Sequence, residues 1–461
     1  MSATLQFAPP ARLPQLNRAI LRAALSVSAA GILVKAAATC KEIAVAGVYG
    51  RSDAMDAFLA AVLIPSLLVN LIAESMNQVL APALIGVRER EGTGPAQQLL
   101  SSAMLWLGVL LIAASAAMAL AAHAIFPLIA SHFPAAKLAL SIRLFYALLP
   151  IVPLTGIATI CTSVLNTVDR FAVPALAPIA ISVSIIAAAL ALGPRFGIWA
   201  MVLGTVAGTL IYLLLVAVMM HRSGYRFRLR WHGMSPAIQQ VGRQYGPVLL
   251  SGVVASGGLL VDQSMAAMLA AGSLSALVYA NRFVSVVLSL LAGAISTALV
   301  PPISRLIAHR QWRSCRATLR TWVWITAAVS TPIAILLIAA AHPLVRITLQ
   351  HGAFESRDTA VVTRVLAMYA IQIPFYATSR VFYRFLIAMQ RTDLILYCGT
   401  INLVLDVILN LLLMRWYGVA GIALATSLWT VSTFFFLWYW AHKVLARAEL
   451  SGSAPTPEAA I

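Results

Sequence analysis

Apolar residues run along this chain in blocks far longer than a soluble helix or strand requires, and short polar segments separate them from one end to the other. A helix rises ~1.5 Å per residue, so ~20 apolar residues cross ~30 Å of hydrocarbon. Windows of that length predict twelve helical spans, near residues 26–48, 57–82, 101–122, 142–166, 171–193, 198–220, 245–269, 275–300, 321–343, 362–388, 393–414 and 418–441. The expected fold is therefore an all-α integral membrane protein.

Composition supports this and removes other classes. Of 461 residues, 61% are apolar and 10% charged, with a mean hydropathy of +0.91. No ordinary soluble domain has that balance. The formal net charge of +18 raises the question of nucleic acid, but no basic stripe with interleaved aromatics exists, and the basic residues alternate between turns instead. One side holds Arg88 and Arg90, Arg170, the run Arg222 to Arg243, the run Arg305 to Arg320, and Arg391; with the two tails it carries 19 basic residues against six on the other side. That asymmetry is the positive-inside pattern, which places both termini in the cytoplasm.

The longest basic connection, 221–244, divides the chain. Residues 1–24 read as a cytoplasmic tail, 25–220 as a first six-span lobe, 221–244 as a linker, 245–442 as a second six-span lobe and 443–461 as a second tail. An ungapped repeat supports the division: AFLAAVLIPSLLVNLIAESMNQVLAP at 57–82 lies over ALVYANRFVSVVLSLLAGAISTALVP at 276–301, matching Ala61 to Ala280, Ala73 to Ala292 and Pro82 to Pro301. Chance agreement of two apolar helices is the alternative. Parallel repeats of this kind suit a transporter whose lobes rock about a central site.

Charges inside spans cost ~2.5–3.5 kcal/mol each at the helix centre, and they persist where they face a partner or a water-filled cavity. Helical spacing groups them. Span 2 aligns Asp56, Asn70, Glu74 and Gln78; span 8 aligns Arg282, Ser285, Ser289 and Ser296; span 10 aligns Tyr376, Arg380 and Tyr383, with Arg384 at the edge. Span 1 adds Lys35, Lys41 and Glu42, Asp262 falls in span 7, and span 11 carries Asn402, Asp406 and Asn410. A shared central cavity explains these stripes together; helix–helix hydrogen bonding is the competing reading. Cations from both lobes suit an anionic head group, since Arg grips phosphate bidentately and Lys acts as a point charge. Asp262 and Asp406 are candidates for ion coupling, or for simple pairing with nearby cations.

No catalysis is expected. The chain shows no nucleophile elbow, no phosphate-cradling Gly-rich loop and no His pair at metal spacing, and its four cysteines are far apart. Neither a cofactor nor a metal site is anticipated.

Four segments carry a resemblance. GRSDAMDAFLAAVLIPSLLVNLIAESMNQVLAPALIGVRERE at 50–91 is similar to the second span of the lipid II flippases of peptidoglycan synthesis, members of the multidrug/oligosaccharidyl-lipid/polysaccharide exporter superfamily. VLNTVDRFAVPALAP at 164–178, GSLSALVYANRF at 272–283 and SRVFYRFLIAMQRTD at 379–393 resemble later segments of that family in the same order. The resemblance implies a V-shaped, two-lobed flippase of the bacterial inner membrane, moving a polyprenyl-pyrophosphate-linked saccharide from the cytoplasmic to the periplasmic leaflet by alternating access. It places Arg282 on a cavity Arg, Glu74 on an acidic position, Asp56 on the Asp of a DAF motif, and Lys41 and Glu42 on an Arg–Asp pair. Departures accompany it. Val69 and Asn70 stand where those flippases have paired Arg, Ser285 replaces an acidic residue, and twelve spans stand against fourteen. An exopolysaccharide or O-antigen type of flippase, a multidrug or cation antiporter, and a non-transporting scaffold that recruits envelope-synthesis enzymes therefore stay open.

Overall fold

The computed structural model describes residues 13–168, 170–226 and 230–452, and the regular structure in them is entirely helical. Twelve long helical rods succeed one another along the chain: α1 Leu13–Tyr49, α2 Asp53–Glu91, α3 Thr93–Ile129, α4 Ala135–Thr167, α5 Ala172–Phe196, α6 Trp199–Arg222, α7 Pro236–Ala267, α8 Ser273–Ala308, α9 Trp312–Ala339, α10 Ser356–Ala388, α11 Thr392–Tyr417 and α12 Val419–Gly452. Each covers one span expected from hydropathy. Ten of them are long and apolar enough to cross a membrane, and α1 and α7, at 37 and 32 residues, have the length as well. Residues 13–24 of the expected tail and 236–244 of the expected linker are helical, whereas 1–12 and 453–461 lie outside the described residues.

Local chemistry sets the ends. The Ser52 hydroxyl accepts from the amide of Met55 to start α2, Ser235 does the same for α7 ahead of Pro236, and Glu355 with Asp358 forms a capping box on α10. Each satisfies amides that the first helical turn leaves unpaired.

Burial shows how the rods are grouped. One core cluster fills the first six helices and continues into the second six at the end away from the basic turns, through Leu277 and Tyr279 of α8, Val365 of α10 and Ile422 of α12, and at the basic end through Ile238, Val241 and Tyr245 of α7. A second cluster, including Leu299, Leu319, Phe385 and Leu445, belongs to the second six alone and lies toward the Arg-rich turns. Two lobes joined at one end and, α7 apart, separate at the other form a V that opens toward the basic side. α7 spans the two lobes: at its basic end the Tyr245 hydroxyl donates to the Ile72 carbonyl at 3.1 Å and its ring meets Trp106, both in the first lobe. Its other end contributes to the second lobe.

At the closed end the lobes are tied by polar contacts. The Asp56 carboxylate accepts from the amides of Gly272 at 2.7 Å and Ser275 at 2.9 Å, at the N-terminus of α8. Lys137 of α4 reaches Asp53 at 2.7 Å and Asp56 at 3.2 Å. Arg51 pairs with Asp358 of α10 at 3.1 Å and donates to the Gly272 carbonyl at 2.9 Å, while Tyr279 donates to the carbonyl of Gly50 at 3.0 Å. Gly272 takes φ +79°, and a Cβ there would lie 2.7 Å from the Arg51 carbonyl oxygen. Only glycine permits that approach without strain.

Two irregularities shape the interior. Val69–Ala73 of α2 forms a π-helical turn, which widens the rod and rotates the residues C-terminal to it about the axis. α10 breaks at Ile371, where Pro374 cannot donate to the carbonyl of Ala370.

Candidate functional site

A cavity of about 580 Å³ opens between the lobes, lined by α1, α7, α8, α10, α11 and α12. Lys35 comes from the first lobe, and Arg282, Asp262, Asp406, Asn402 and Trp429 from the second. The break in α10 turns Tyr369 and Gln372 toward it. A second recess of about 530 Å³ adjoins it, sharing Gly399, Asn402 and Trp429, and contains Arg380 with Tyr376 and Tyr383.

The cations sit in two different situations. Glu42, 4% exposed, accepts on one carboxylate oxygen from Lys41 at 2.8 Å and from Arg282 at 2.9 Å, so one anion serves two cations across the lobe boundary. The Arg282 Nε is buried with no hydrogen-bond partner among the described residues, and Lys35 has no carboxylate within ion-pair distance there. Two cations, one of them with an unused buried donor, therefore line a cavity that also holds the carboxylates of Asp262 and Asp406. Arg380 is held between aromatic faces, 4.5 Å from the Tyr376 ring centre and 5.3 Å from Tyr383, with a 2.6 Å bond to the Tyr376 hydroxyl. Arg384 donates to Ser296 of α8 at 3.0 Å.

Other expected site residues are placed elsewhere. Asp56 does not line either recess; it is 2% exposed and committed to the closed-end contacts. It shares a helix face with Asn70, but it lies four turns nearer the end where the lobes converge, so the same stripe is covered there and open below. Asn70, within the π turn of α2, and Glu74, immediately after it, are exposed and are absent from the lining of the 580 Å³ cavity.

Asp262 and Asp406 come together, and not with a cation. Asn410 donates to Asp262 at 2.8 Å and to Asp406 at 3.1 Å, and Thr426 donates to Asp262 at 3.0 Å. Asp406 Oδ2 and Asn410 Oδ1 are buried without partners among the described residues. Two carboxylates, an amide oxygen and a hydroxyl gathered in the bilayer interior leave acceptors unused, which a small cation or a proton would satisfy.

Sequence periodicity did not single out Thr426 or Trp429 as part of this group, because each sits on a helix whose neighbours alone do not define a face. Lys137 and Arg51 looked like turn residues; their partners lie 81 and 307 positions away. No spacing rule links such positions.

The fold is that of a two-lobed, multi-pass membrane transporter with a central cavity lined by charged side chains of both signs, and it matches solved transporters. A lipid II flippase in an inward closed conformation superposes with TM-score 0.77 at 22% identity, covering 92% of this chain and 90% of that one. An inward-facing multidrug resistance transporter of the MATE family, in the MOP superfamily, gives 0.75 at 12% identity, covering 94% and 100%. The sequence is more specific. The family model described as lipid II flippase MurJ matches residues 45–456, and this chain belongs to that family. Relatives include the lipid II flippase MurJ of Burkholderia cenocepacia, 28% identical over 76% of this chain and 70% of the relative. The probable lipid II flippase of Buchnera aphidicola is 23% identical over 89% of this chain and 81% of its own length. These are transporters and not enzymes.

Proposed function

We propose that this chain flips lipid II, a polyprenyl-pyrophosphate-linked saccharide, from the cytoplasmic to the periplasmic leaflet of the bacterial inner membrane. The observation that carries the reading is the presence of Lys35 and Arg282 in one cavity lining, the first without an ion pair and the second with an unused buried Nε. A diphosphate supplies the acceptors these donors need. Lys41 and Arg282 already share Glu42, so an incoming anion competes with that carboxylate and loosens a contact between the lobes. Arg380 lies along the neighbouring recess, and Arg384, one turn further on and bonded to Ser296, continues the line of basic residues toward the basic side.

Both termini are cytoplasmic on this reading, which puts the open mouth of the V in the cytoplasm, where the substrate is made. The Asp262, Asp406, Asn410 and Thr426 group is the coupling site: a small cation or proton held there neutralises buried carboxylates that belong to α7 and α11 at once. Asn70 and Glu74 face the open mouth and meet the saccharide. Enzymes of envelope synthesis are the expected partners at the basic cytoplasmic turns.

The test is flipping of lipid II by the purified full-length protein in proteoliposomes. Arg282→Ala and Lys35→Ala are each expected to lower the rate at least tenfold, because a lost charge-assisted contact is worth ~1.5–3 kcal/mol. Wild-type rates in both variants, with intact folding, would sink the reading. Transport of a different polyprenyl-linked saccharide in place of lipid II would favour the exopolysaccharide alternative.

A further inference from the structure

A third recess, of about 380 Å³, lies away from the central cavity, between α9 and α12 with α10 as its floor. Its lining is graded. Arg316, Arg320 and His442 stand at the end nearest the Arg-rich turns, and Trp324, Phe434 and Trp438 stand deeper along the same two helices. Four residues of helix separate Arg320 from Trp324 and eight separate Arg316 from it, or about 6 and 12 Å along the axis. Basic groups at the membrane surface with an aromatic and apolar wall one headgroup below them match the cross-section of a phospholipid leaflet.

The charges are available. Arg320 has no carboxylate within ion-pair distance among the described residues, and no acidic residue occurs from 301 to 354. Arg316 pairs with Glu449 at 2.6 Å, but it is 52% exposed, and an exposed pair contributes only ~0–1 kcal/mol. His442 bonds the Trp438 carbonyl through Nδ1 at 2.8 Å, which leaves its Nε2 edge uncommitted. Beneath them Leu319, Ala441 and Leu445 are buried in the second-lobe core, so the recess has a packed floor.

We propose that this recess binds an anionic phospholipid from the leaflet on the basic side, with the phosphate on Arg320 and Arg316 and an acyl chain along Trp324, Trp438 and Phe434. Basic pockets between helices on that side select anionic headgroups by charge, and each cation near the surface contributes a fewfold in affinity. The site lies on the opposite side of α10 from Arg380, so it is separate from the substrate cavity and does not depend on the transport reading.

The experiment is native mass spectrometry of the purified full-length protein with dioleoylphosphatidylglycerol and with dioleoylphosphatidylcholine. Phosphatidylglycerol is expected to bind more tightly, and Arg320→Gln and Arg316→Gln are each expected to weaken it about fivefold. Arg313→Gln removes a neighbouring charge outside the recess and is expected to change binding less than twofold. Equal affinity for the two lipids, an unchanged Arg320→Gln protein, or an equal loss in Arg313→Gln would overturn the proposal. Melting temperatures of the variants confirm that exposed arginines have been altered without loss of fold.

Discussion

Glu42 illustrates how a single residue acquires its role. In the sequence it is one acidic residue next to Lys41; in the structure its carboxylate is shared with Arg282, which is 240 positions away. Removing one partner of a buried ionic group leaves the others uncompensated. Glu42→Ala is therefore expected to lower the melting temperature by several degrees, read by thermal unfolding in detergent, since it leaves Lys41 and Arg282 facing each other. Glu42→Asp, which keeps the charge, is expected to lose less. Asp262 and Asp406 lead to a different expectation. Asp406→Asn removes one of two carboxylates that share Asn410, and on the coupling proposal it should abolish the dependence of flipping on the ion gradient while leaving lipid II binding within about twofold. Binding and flux measured on the same preparation separate the two. The residue types at these positions were readable from spacing, but their partners were not, because partnership across lobes is decided by packing.

At the scale of elements, α5 and α6 approach more closely than their hydropathy suggests. Gly204 and Gly208 of α6 lie against the backbone of α5, where an added Cβ would come 2.8 Å from Ile185 Cα and 2.7 Å from Ile181 Cα. A small residue at every fourth position is a known device for packing helices in lipid, where dispersion contacts replace the hydrophobic effect. The Gly204-to-Gly208 spacing was legible and is the signal that would have found this contact. Gly208→Val is expected to push the helices apart and cost ~1–3 kcal/mol, seen as a lower melting temperature, whereas Gly293→Ala, with nothing within 4 Å of the added Cβ, should change little. The π turn in α2 had no such signal: Val69, Asn70 and their neighbours are ordinary helix-compatible residues, and the extra residue per turn is imposed by the helices packed around them.

The whole molecule is closed at one end by contacts that hydropathy assigned to turns. Asp56 bonds two amides at the start of α8 and the ammonium of Lys137 together, and the positive end of the helix dipole adds to this. A rocking transporter has to release such contacts in order to open the other way. Asp56→Ala is thus expected to favour opening at this end: in a background cleared of its native cysteines, a cysteine at buried Ala276 should react with a membrane-impermeant maleimide at least tenfold faster than in the parent. An unchanged rate would mean that the remaining ties, Arg51 to Asp358 and Tyr279 to Gly50, hold the lobes unaided.

Hydropathy alone determined that the chain is an all-helical protein that crosses the membrane many times, because runs of ~20 apolar residues have no other solvent, and among the described residues ten of the twelve helices it predicted are long and apolar enough to cross. The motifs pointed to the family, and the intramembrane charges pointed to an anionic ligand. Only the tertiary structure decided which charges meet. A polar stripe states a direction around a helix but says nothing about depth or about the helix opposite, so Asp56 and Glu74, on one stripe, divide between a buried tie that closes the lobes and an exposed position on α2.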